Sequence, residues 1–124
     1  MNKRIDVKEA VLEANRLILH TEDSLSEIKG SMNAKGQMLV DSDQLAFIYL
    51  LETDEDFIYA GLPHTIWSKL KEALDKSLPV LLKINDSEVE LVQIIDELRY
   101  LIDNIKGNAN YGEEMETKVT EVFS

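Results

Sequence analysis

AFIYLLETDEDFIYAGLPHTIWSKLKEALDKSLPVLLKI, residues 46–84, is the passage from which the fold is read. Ala46–Leu62 is two runs of aromatic and branched residues, AFIYLLE and FIYAGL, separated by the polar reversal Thr53-Asp54-Glu55-Asp56. Such residues suit a pleated, buried surface and the acidic break suits a turn left in water, so the segment predicts a β-hairpin. Both runs are apolar on successive residues, which suits a central place in a sheet. Pro63 closes the second strand, and the spacing then becomes helical. Ile66, Trp67, Leu70, Ala73 and Leu74 share one side of a helix over Ile66–Lys76, with Lys69, Lys71, Glu72 and Asp75 opposite. Thr65 or His64 is the expected cap, and Ser77 and Pro79 end the helix. PVLLKI, residues 79–84, reads as a further strand.

Toward the C-terminus, Asn85-Asp86-Ser87 is a turn that returns Glu88–Leu91 antiparallel to that strand. Ile94–Lys106 is the strongest helix, with Ile94, Ile95, Leu98, Leu101, Ile102 and Ile105 on one face and Asp96, Glu97, Arg99, Asp103 and Asn104 outward. Gly107 suits the left-handed residue that stops it. Asn110 and Glu113 have the spacing of a capping box for a last helix over residues 111–123, striped by Met115, Val119, Val122 and Phe123. The two helices form an αα-hairpin.

Toward the N-terminus the pattern is more open. IDVKEAVLE, residues 5–13, partly alternates, and turn-prone Asn15-Arg16 precedes Leu17–His20, so two paired strands are expected. VKEAVLEANRLIL, residues 7–19, also has helical spacing, so a helix competes there. Leu25–Lys29 suits a short strand, Gly30–Gly36 a loop, and Gln37–Val40 a strand stopped by Asp41-Ser42-Asp43. The expected class is α+β. A mostly antiparallel sheet is drawn from the N-terminal half and residues 79–91, with one helix at 66–76 and a helical hairpin at 94–106 and 111–123. No repeat, low-complexity tract or linker divides residues 1–124, so one domain is expected.

Composition excludes several chemistries. The chain has no cysteine, hence no disulfide, thiol nucleophile or zinc ribbon, and its two histidines, His20 and His64, are far apart in sequence. No apolar stretch follows the basic start MNKR, and the longest apolar run, Leu45–Leu51, is too short to span a bilayer, so a cytoplasmic setting is expected. The net charge of −11 falls entirely after Val40, because residues 1–40 balance. Such a surface repels nucleic-acid phosphates and anionic membranes, and it favours solubility or a basic protein partner.

No reactive constellation emerges. Asp41-Ser42-Asp43 is better explained by turn chemistry than by a cation site, and Thr53–Asp56 lacks the glycine and terminal glutamate of a calcium loop. His64 is the residue type that serves as a general base but has no nucleophile motif beside it, and phosphate-binding glycine loops are absent. No catalytic, metal or cofactor-binding residue is therefore assigned. Trp67 is either a core anchor or a binding hot spot. Asn108, Asn110 and Tyr111 suit turn and cap roles, or a recognition loop.

GQMLVDSDQLAFIY (36–49), Trp67, NDSEVEL (85–91), ELRYLIDNIKGNANYGE (97–113) and the ending 119–123 resemble a family of small, acidic, uncharacterised proteins of Gram-positive bacteria. The likeness covers nearly the whole chain from Gly36 onward and is looser before it. It implies a bacterial cytoplasmic protein and carries no activity, so no role is transferred to any residue. The leading expectation is a non-enzymatic module that binds another protein, through the C-terminal hairpin or a sheet edge, with Trp67, Asn108, Asn110 and Tyr111 as candidates. The alternative is a small-molecule or catalytic pocket near His64, Trp67 and Tyr111. An acidic mimic of nucleic acid is a third reading and rests on charge alone.

Overall fold

The computed structural model describes residues 3–21, 32–53, 57–84 and 87–123. Seven strands and three helices run in the order β1 (Lys3–Glu13), β2 (Arg16–Thr21), β3 (Asn33–Asp41), β4 (Ala46–Glu52), β5 (Phe57–Pro63), α1 (Trp67–Lys76), β6 (Val80–Ile84), β7 (Ser87–Glu90), α2 (Ile94–Ile105) and α3 (Glu113–Phe123). Short 3-10 turns at His64–Ile66 and Ala109–Tyr111 lead into α1 and α3. The α+β class and the approximate helix positions hold.

Residues 7–19 are strands. Ala14 and Asn15, with φ of 50° and 64°, form the tight turn between Glu13 and Arg16, and both have the positive φ that the twist of a two-residue hairpin loop requires. The strand expected at Leu25–Lys29 and the turns at 54–56 and 85–86 lie outside the described residues.

The strand order is β3-β4-β5-β1-β2-β6-β7. Four pairings are antiparallel, as expected for most of the sheet, but β1 with β5 and β2 with β6 run parallel, so the sheet is mixed. β1 lies between β5 and β2: Lys3–Asp6 pair with β5, and Val7 to Glu13 pair with β2 across a bulge between Val7 and Glu9. The sheet curls, bringing the edge strands β3 and β7 together, with α2 packed against β3.

A second correction falls on 33–36, expected as loop. These residues belong to β3, whose register shifts between Ala34 and Met38 around Gly36, at φ +68°. The Gly36 N–H donates to Tyr49 Oη at 3.2 Å, and Tyr49 Oη donates to the Val92 carbonyl at 2.6 Å. One buried phenol thus joins β4, the bulge in β3 and the segment between β7 and α2, where the curled sheet comes round on itself. Burial pushes the Tyr49 hydroxyl above its ordinary pKa.

One face of the sheet carries the core. Leu17, Leu19, Phe47, Leu51, Leu62 and Leu82 are fully buried there against Trp67 and Leu70 of α1, Leu98 and Ile105 of α2, and Val119 of α3. No polar or charged residue is buried among the described residues. The helices lie on this inner face.

Candidate functional site

Trp67 sits at the first residue of α1 with no exposed surface, and its Nε1–H donates to the Leu62 carbonyl at 2.9 Å. Its ring lies 4.9 Å from Phe47 and 5.7 Å from Phe123 between centroids, joining β4, α1 and the end of α3. Trp67 is an interior anchor and offers a partner no surface. His64 is half-buried, edge-on to Trp67 at 6.3 Å, and its backbone N–H donates to the Leu45 carbonyl. No side chain caps α1, contrary to the expectation for Thr65 or His64, because the 3-10 turn at 64–66 places Ile66 at that position.

An open pocket of about 390 Å³ does adjoin His64. Its other walls are Leu45, Glu113, Glu114, Thr117 and Lys118, so it lies at the start of α3, and neither Trp67 nor Tyr111 lines it. No group of three or more metal-ligating side chains occurs among the described residues.

The hairpin turn is built as the sequence suggests at Gly107, where φ is +71°. It differs at the next step. Asn108 Oδ1, rather than Asn110, is the capping acceptor, taking the Asn110 backbone N–H at 3.0 Å. Asn108 is the extended residue here, with φ −124°, whereas Asn110 lies inside the 3-10 turn with its side chain exposed. Gly112, at φ +95°, then separates that turn from α3, which begins at Glu113, so the Asn110–Glu113 capping box does not form. Tyr111 is partly buried against the core.

Sequence reading missed Tyr100. It is 64% exposed, the most exposed large hydrophobic among the described residues, on the outward side of α2. Asp96 and Asn104 lie one turn to either side and Asp103 three residues on, all exposed. The signal was present: Tyr100 falls among the polar residues of the helix, out of phase with the apolar stripe.

The other apolar surface is the outer face of the sheet, where Leu39 is 52% and Phe57 37% exposed. Beside them, Arg4 reaches from β1 across Gly61, with Nε 3.1 Å from Asp6 Oδ1 and Nη1 2.7 Å from Asp41 Oδ2 on β3. A Cβ on Gly61 would stand 2.4 Å from Asp6 Oδ1, so a glycine leaves the room for this pair. The hydrogen bond from Arg4 holds the Asp41 carboxyl below its ordinary pKa.

Comparison with known proteins gives a family. The family model UPF0738, described as a family of unknown function, matches residues 5–123. A UPF0738 protein of Bacillus licheniformis is 52% identical over 125 residues, and one of Bacillus cereus is 45% identical over 123, each alignment covering 99% of both chains. No solved structure matches. No helix among the described residues is long and apolar enough to cross a membrane. The chain belongs to the UPF0738 family, and these relatives come from Gram-positive Bacillus species.

Proposed function

We propose that this UPF0738 protein works by binding another protein, with the outward side of the α2–α3 hairpin as its contact surface. The observation that carries the reading is Tyr100, a large aromatic side chain left 64% exposed. Bordered by Asp96, Asp103 and Asn104, its ring suits a lysine or arginine of the partner, which gains both the aromatic face and the carboxylates. Exposed Asn110 and half-buried Tyr111 extend the surface to the turn between the helices. A cytoplasmic setting goes with this reading and is supported by the cysteine-free composition.

Affinity purification from the native cell tests it in three arms: the wild-type chain, Tyr100→Ala, and the pair Asn110→Ala with Tyr111→Ala. The expected result is a partner recovered in stoichiometric amount by wild type and lost with Tyr100→Ala at an unchanged melting temperature. Equal recovery by Tyr100→Ala overturns the reading. If the turn pair lowers only the melting temperature, Asn110 and Tyr111 are scaffolding.

The pocket at His64 supports a second reading, a small-molecule site at the start of α3. A ligand that binds only the folded chain raises its melting temperature, so a thermal-shift screen of metabolites separates the two readings.

A further inference from the structure

We propose that the groove where α1 and α2 meet the last residue of α3 is an anion site, and that it takes a small organic carboxylate with a compact apolar body. The groove has a volume of about 390 Å³, and three cations, Lys71, Arg99 and Lys106, line it in a chain whose net charge is −11. Lys71 is neutralised by Asp75, with Nζ 2.9 Å from Oδ2. Arg99 and Lys106 have no carboxylate within ion-pair distance among the described residues. Each is tied instead to a main-chain carbonyl near a helix end. Arg99 Nη2 donates to the Leu74 carbonyl at 2.9 Å, and Lys106 Nζ donates to the Phe123 carbonyl at 3.1 Å. Carbonyls at a helix C-terminus carry partial negative charge, so they hold the two cations in place without cancelling them. A guanidinium has five N–H donors and an ammonium three, so both heads keep donors for a ligand.

Charge and lining select the ligand. Three cations against two carboxylates, Asp75 and Asp103, leave one positive charge in excess in the groove. A single carboxylate neutralises that excess, whereas a phosphate dianion brings a second negative charge close to Asp103. The flat head of a carboxylate also matches the planar fork of Arg99. Leu74 and Ile102 supply the apolar part of the wall, which an apolar body covers. The volume falls at the small end of ligand pockets, which run from about 300 to about 1,000 Å³. The site stands apart from the two surfaces already described. The His64 pocket is at the opposite end of α3, and Tyr100 does not line the groove, although Asp103 borders both.

Calorimetric titration of the full chain with hydrocinnamate, its neutral amide and inorganic phosphate tests the site. Hydrocinnamate is expected to bind saturably, and the amide and phosphate at least tenfold more weakly. Arg99→Gln with Lys106→Gln is expected to weaken hydrocinnamate at least tenfold. Asp103→Asn removes a repelling charge and leaves both cations in place, so it is expected to tighten hydrocinnamate about threefold. A purely structural role for these side chains produces no such gain. Tyr100→Ala is expected to leave the affinity unchanged, which keeps the groove separate from the proposed protein contact. Four results overturn the proposal: no binding of hydrocinnamate, equal binding of the amide or of phosphate, unchanged affinity in the Arg99 and Lys106 double variant, or an Asp103→Asn chain that binds no more tightly than wild type.

Discussion

Tyr49 makes the most consequential single contact in the chain, because its hydroxyl is the only part of a fully buried ring that reaches polar groups on two other segments. Replacing it by phenylalanine keeps the packing and strands the Gly36 N–H and the Val92 carbonyl. A buried group left without its partner costs about 1–3 kcal/mol. Tyr49→Phe is therefore expected to lower the unfolding free energy in urea at pH 7 by about 2 kcal/mol. A pH dependence follows with a definite sign. Burial raises the Tyr49 pKa above its ordinary 10.0, so the folded chain holds this proton more tightly than the unfolded one. The stabilisation is complete below pH 10 and is lost as the pH rises through the folded value. The alkaline decline in wild-type stability should be shallower in Tyr49→Phe, and an unchanged alkaline limb would refute this role for the phenol.

At the scale of elements, α1 shows which signals a sequence carries and which it withholds. Its apolar stripe is legible, and Ile66, Trp67, Leu70, Ala73 and Leu74 are all buried. Its stop is legible only as a place, since Ser77 ends the helix at φ 53°, in the left-handed region where a side chain is strained. The Ser77 and Leu78 N–H groups reach back to the Leu74 and Ala73 carbonyls, and Arg99 of α2 donates to the Leu74 carbonyl at 2.9 Å. Ser77→Gly relieves the strain without disturbing these bonds, and it is expected to raise stability by about 0.5–1 kcal/mol, read as a higher urea midpoint at constant slope. A lower midpoint would mean that the serine side chain contributes more than its backbone costs. The same division explains the rest of the fold. Hairpins and helices are written in local spacing, so β4–β5, α1 and α2 are found from the sequence. The parallel neighbours β1–β5 and β2–β6 join segments far apart in the chain, and no local pattern encodes them. Asn108 and Asn110 lie in the turn as expected, but Asn108 caps the 3-10 turn at 109–111, and Gly112, a second positive-φ residue after Gly107, stands between Asn110 and α3. Tyr100 and the outer side of β4–β5 were hidden by reading apolar residues as core first.

For the molecule as a whole the governing fact is a net charge of −11 around an interior with no buried charge among the described residues. The core supplies cohesion, and the surplus carboxylates oppose compaction through mutual repulsion. A folded chain of 124 residues has a radius of gyration of about 14 Å, so charges on opposite sides stand roughly 30 Å apart. That matches the screening length of about 30 Å at 0.01 M salt and far exceeds the value of about 8 Å at 0.15 M. At low ionic strength the whole surface repels itself, whereas near physiological ionic strength each carboxylate responds only to its neighbours. The ion pairs among the described residues are side chains at the surface, including Lys71–Asp75 and Lys35–Glu52, and such pairs contribute at most about 1 kcal/mol each, so screening them loses little. Adding sodium chloride from about 0.01 to about 0.15 M at pH 7 is therefore expected to raise the melting temperature by roughly 4 °C, corresponding to about 1 kcal/mol for a domain of this size. Calorimetry at a series of salt concentrations gives the answer directly. A melting temperature that falls over this range would mean that attractive pairs outweigh the general repulsion, and the carboxylates would then be part of what holds the fold together.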